Sequence, residues 1–77
     1  MLKELLETLA QALVDNPGEV SVTMVEGEKS VILQLKVASD DVGKVIGKEG
    51  RIAKALRIIV GAAAAKESKR AMVEIID

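Results

Sequence analysis

A two-layer α+β fold in the order α-β-β-α-α-β is predicted by three observations. Apolar residues recur at helical spacing near the N-terminus and again after residue 50. Two alternating, β-branched stretches flank Glu26-Gly27-Glu28-Lys29 and read as a hairpin. A short apolar run closes the chain after a helical crossover. Helices on one face of a three-stranded mixed sheet bury all of these apolar faces together.

The first helix spans 2–14, with Leu2, Leu5, Leu6, Leu9, Leu13 and Val14 on one face and Lys3, Glu4, Glu7 and Gln11 on the other. Asp15-Asn16-Pro17-Gly18 ends it, because proline cannot continue a helix. The first strand spans 19–25, with Val20, Val22 and Met24 inward. The second spans 31–37, with Val31, Leu33, Leu35 and Val37 inward and Ile32 on the opposite face. Ser39 fits an N-cap, with Asp40 and Asp41 in the first turn of a short helix running to Ile46. Capping explains that carboxylate pair better than metal binding, since no third ligand accompanies it. Val42, Val45 and Ile46 pack the short helix down.

The next helix spans 51–67, and Ile52, Leu56, Ile59, Val60 and Ala63 are expected to face the sheet. Gly61 sits in its interior, either for close approach of another element or simply tolerated. Ala62 to Ala65 follow, as helix formers or as a surface for a second helix. Ser68-Lys69-Arg70 is a turn, and the last strand spans 71–76. After a helical crossover it is free to pair in parallel.

Between the last two helices lies Val45-Ile46-Gly47-Lys48-Glu49-Gly50-Arg51-Ile52. Glycine tolerates positive φ and lets a ligand approach the backbone. Gly47 ends one helix and Gly50 starts the next, so unpaired helix N–H groups face the loop. Lys44, Lys48, Arg51 and Lys54 add positive charge. The chemistry is that of a phosphate clamp.

Seventy-seven residues make one domain. The chain contains no His and no Cys, which excludes Ser–His and Cys–His catalysis and any disulfide framework. No nucleophile–base pair or metal cluster is in sight, so an enzyme, a cofactor and a metal are not expected. The N-terminus lacks a continuous apolar signal region, and no run is long enough to span a bilayer. A cytoplasmic protein is expected. The net charge of −1 is unevenly spread. Residues 1–40 carry three lysines against seven carboxylates, whereas residues 41–60 carry five cations against Asp41 and Glu49. A net +3 therefore sits on the glycine loop and the helix after it.

The segments Leu13-Val14-Asp15-Asn16-Pro17, Gly43-Lys44-Val45-Ile46-Gly47-Lys48-Glu49-Gly50-Arg51, Ala53-Lys54-Ala55-Leu56-Arg57 and Val73-Glu74-Ile75-Ile76 resemble small, stand-alone bacterial KH domains of the KhpA (YlqC) type. The resemblance covers the whole chain, 1–77, and implies the type II KH arrangement. It implies a GxxG loop at Gly47, Lys48, Glu49 and Gly50 that clamps single-stranded RNA. Ile46 and the first turn of the following helix would line an aliphatic groove, and Lys44, Arg51 and Lys54 would track the backbone. The absence of aromatic residues argues against base-stacking platforms.

Glu49 and Ala53 depart from the common family pattern and predict weak, salt-sensitive binding. The resemblance further implies an RNA chaperone or post-transcriptional regulator. It also implies self-association as a homodimer and pairing with a larger KH-containing protein of the KhpB (Jag) type. A second reading is an interaction module with a degenerate KH fold and little RNA binding. Its supports are the acidic total charge, Glu49 and the Ala62–Ala65 surface.

Overall fold

The computed structural model describes residues 1–76. Helix α1 spans Leu2–Leu13. Strands β1 (Ser21–Glu26) and β2 (Ser30–Lys36) follow. Helix α2 spans Val42–Ile46 and α3 Arg51–Ala65, and strand β3 spans Arg70–Ile76. Three single-turn 3-10 segments, Pro17–Glu19, Ser39–Asp41 and Lys48–Gly50, make the connections. The order is the expected α-β-β-α-α-β.

The sheet runs β1-β2-β3. β1 pairs antiparallel with β2, Met24 opposite Leu33. β3 pairs in parallel with β2, Leu33 beside Val73. The central strand is therefore the one with the most regular inward alternation. Val31, Leu33 and Leu35 are all buried, and Val37 continues the row past the strand's end. Leu2, Leu6 and Ala10 of α1 and Ala53, Leu56, Val60 and Ala64 of α3 are buried too. Most of these residues join a single cluster with the inward strand residues, so the helices form one layer over one sheet face. On the opposite face Val25, Ile32 and Met72 lie side by side in register, with Val25 and Met72 exposed.

Three local expectations are corrected. Ser39 makes no capping hydrogen bond; it opens a 3-10 turn that Ala38 precedes. Asp41 precedes α2 without capping it by a side-chain hydrogen bond, and it is fully buried. Ile59 does not face the sheet. It is 42% exposed and lines a cleft between α1 and α3. The reason is angular: at 3.6 residues per turn, Ile59 lies a quarter turn or more from Val60 and Ala53, the centre of the buried stripe. Gly61 has open space where a Cβ would stand, so it marks no close contact within the chain.

Candidate nucleic-acid interface

The glycine loop is built by two helix ends. α2 stops at Gly47, whose φ of 76° and ψ of 172° turn the chain out of the helix. The Gly47 N–H still donates to the Gly43 carbonyl at 2.9 Å, closing the last turn. The Gly50 N–H then donates to the Gly47 carbonyl at 3.1 Å, and the Arg51 N–H to the Lys48 carbonyl. Glu49 and Gly50 both adopt left-handed conformations, φ 58° and 75°. For Glu49 this costs about 1–2 kcal/mol, because its Cβ crowds the backbone carbonyl. Strain of this kind on a surface loop is a pointer to function.

The two glycines have different reasons to be there. A Cβ on Gly47 would stand 2.7 Å from Ile52 Cγ1 and 2.9 Å from the Ile52 amide nitrogen. The protein's own packing excludes a side chain at that position. A Cβ on Gly50 would meet no atom within 4 Å. The expectation that a Cβ at either end would hold a ligand away is thus open at Gly50, while at Gly47 it is pre-empted by Ile52.

Around the loop, Lys48, Glu49, Arg51 and Lys54 are exposed, Ile46 is 38% exposed, and Gly47 and Gly50 are half-buried. Among the described residues the ion pairs are Met1–Glu4, Lys44–Asp15, Lys44–Asp41 and Lys69–Glu26. Lys48, Arg51 and Lys54 are in none of them. Lys44 is different. Its ammonium sits 2.5 Å from Asp15 Oδ2 and 3.5 Å from Asp41 Oδ1, so its charge is already matched. The hydrogen bond to Asp15 and the two nearby carboxylates raise its pKa above the ordinary lysine value, against partial desolvation.

By helical angle Arg57 lies further round α3 than Arg51. The fold gives it a use, since its Nε donates to the Val73 carbonyl at 3.4 Å, across from the free edge of β3. By helical angle Gly50, Lys54, Arg57 and Gly61 share this flank of α3. It is a basic flank with two side-chain-free positions. The opposite flank, with Ile52, Ala55 and Ile59, faces Leu9, Ala12 and Leu13 of α1 across an apolar cleft of about 350 Å³. α3 therefore separates a basic flank from an apolar one. No group of three potential metal ligands comes together among the described residues. No helix there is long and apolar enough to cross a membrane.

The sheet order, the parallel β2–β3 pair and a GxxG turn between two helices together define a KH domain of the type II order. KH domains are nucleic-acid-binding modules. The model of the KhpA/KhpB KH-domain family matches residues 3–75, and the chain belongs to that family, which is not one of enzymes. It is 64% identical to the RNA-binding protein KhpA of Clostridium acetobutylicum, over 97% of this chain and all of the relative. It is 58% identical to that of Treponema pallidum, over 100% and 96% of the two chains. With the protein of the same name from Aquifex aeolicus the identity is 50%, over 99% and 96%. No solved structure is significantly similar.

Proposed function

We propose that the chain is a single KH module that binds single-stranded RNA through the loop at Gly47–Gly50. The observation that carries this reading is Gly50. Its backbone is left-handed, the space beside it is open, and exposed Lys48, Arg51 and Lys54 surround it. The Gly50 and Arg51 amides are spent within the turn, so a phosphate meets the exposed cations there, without a side chain in the way. KH loops clamp about four nucleotides. The RNA strand runs from the loop along the basic flank of α3, past Lys54 and Arg57, and Ile46 supplies aliphatic contact to a base. Glu49 points a carboxylate at the same region and keeps the affinity modest. Relatives that are RNA-binding proteins by name support the assignment. The working context is an RNA chaperone or post-transcriptional regulator in the cytoplasm.

Gly50→Asp tests this most simply. Aspartate is among the residues that tolerate the left-handed region, so the fold survives. RNA affinity should fall at least tenfold while circular dichroism is unchanged; a folded variant with undiminished affinity removes the loop from the account.

One observation favours an accompanying protein contact. Arg51, Ala55, Ile58, Ala62 and Ala65 are spaced 4-3-4-3 along α3, and all are exposed, Ile58 to 71%. Such spacing is the seam of a helix pair. It suits a homodimer, or pairing with a larger KH-containing protein of the KhpB type, and a second module would raise avidity for RNA.

A further inference from the structure

Asp41 is the buried charged residue of the described core, and its contacts reach far along the chain. Its Oδ2 accepts from the Asn16 amide and from Asn16 Nδ2, both at 3.0 Å. Its Oδ1 accepts from the Asp15 amide at 3.3 Å and lies 3.5 Å from Lys44 Nζ. Three hydrogen bonds and one ion pair thus satisfy the carboxylate. None belongs to the helix that Asp41 precedes, apart from the Lys44 side chain. The others lie in the α1–β1 connection, 25 and 26 residues earlier. There α1 has ended, Val14 is extended, and the amides of Asp15 and Asn16 are free to turn toward a carboxylate.

The place of this clamp matters. α2 has five residues, too few to hold a helix by its own hydrogen bonds. Its bearing is set by what grips it. Val45 is gripped by the core, the Gly47 end by Ile52, and the Val42 end by Asp41 immediately before it. The loop at 47–50 continues directly from the far end.

We propose that Asp41 is a positioning residue for RNA binding: seated on the Asp15–Asn16 backbone, it fixes α2 and through it the bearing of the 47–50 loop. Lys44 serves as the counter-ion of this clamp, not as a phosphate contact. The inference rests on the reading of the loop as the RNA-contacting element.

The test compares the wild type with Asp41→Asn and with Val22→Ala, a buried substitution on β1 that costs stability away from the clamp. Asparagine keeps the shape but turns an NH2 group on donors that need an acceptor. Two quantities are read at a temperature where circular dichroism finds each variant folded. One is the set of backbone amide shifts of Gly47 to Gly50 in the free protein. The other is the dissociation constant for a short, mixed-sequence single-stranded RNA. Asp41→Asn is expected to move the loop amides and weaken RNA binding about tenfold, and Val22→Ala to leave both as they are. Unmoved loop amides with RNA affinity within twofold in Asp41→Asn overturn the proposal. So does an equal loss of affinity in Val22→Ala.

If Asp41→Asn does not fold, Asn16→Ala removes one donor and keeps the carboxylate. Loop amides that stay in place in that variant overturn the proposal equally. A wild type that binds no RNA, or a Gly50→Asp that binds as well as the wild type, defeats the RNA reading itself. The amide shifts of the free protein then decide by themselves whether Asp41 sets the loop.

Discussion

Gly47 and Gly50 look alike in sequence and differ in what a methyl group would do. At Gly47 a side chain collides with both the side chain and the backbone of Ile52. Shortening Ile52 does not relieve the backbone contact. Gly47→Ala is therefore expected to destabilise the fold by about 2–3 kcal/mol, from the overlap and the positive φ together, as read by urea denaturation. A loss confined to RNA binding, with stability intact, would show that the collision is relaxed away.

Asp41 carries the second prediction at this scale. Burial pushes its carboxyl up. The hydrogen bonds from Asn16 and Asp15 and the charge of Lys44 outweigh burial and hold it below the ordinary range. A carboxyl depressed in the folded state contributes stability above its unfolded pKa and loses it as the pH falls through the folded value. The wild type should lose stability below pH of about 4, and Asp41→Asn should lose less over that interval. Parallel pH profiles for the two would remove Asp41 from the acid transition. The glycine pair was legible because spacing and residue type suffice to identify it. The clamp was not, since hydrogen bonds spanning 25 residues leave no periodic trace. For the same reason the ion pairs of Lys44 with Asp15 and Asp41 left no sign in the sequence.

At the scale of elements, the sequence reading was strongest where one face is buried and the other wet. The inward rows of β1 and β2 follow from alternation, which Ile32 on the outer face of β2 interrupts without displacing the buried row. α3 was harder, because its apolar residues cover more than one face. Ala53 and Ala64 are buried while Ile58 and Ile59 are exposed, and size alone suggests the opposite. What decides is the angle each residue takes about a helix wedged between α1 and β3. The exposed Ile58 has a testable consequence. Ile58→Lys lies on the outer face, where substitutions usually change stability by no more than about 0.5 kcal/mol. In the proposed homodimer it should convert dimer to monomer in sedimentation analysis without unfolding the chain. A variant that sediments as the wild type does would move the proposed contact off the α3 seam.

For the whole molecule, net charge is a poor guide and its distribution a better one. A chain of net −1 carries a net +3 over residues 47–60, on one loop and one helix. The fold refines that picture by pairing Lys44 with Asp15 and Asp41 and by setting Arg57 on the flank of α3 beside β3. Both changes depend on the packing of elements distant in sequence. Binding of this kind is carried by phosphate contacts and weakens with salt.

The proposed function stands on RNA clamping by the 47–50 loop. A titration of isotopically labelled protein with a short, mixed-sequence single-stranded RNA, followed by NMR at low and then moderate salt, tests it most directly. Shifts are expected at Gly47, Lys48, Gly50 and Arg51, smaller ones at Lys54 and Arg57, and none at Lys44. With about three phosphates engaged, affinity should fall roughly twentyfold between 50 and 200 mM salt. A folded protein whose loop signals stay in place at saturating RNA would contradict it.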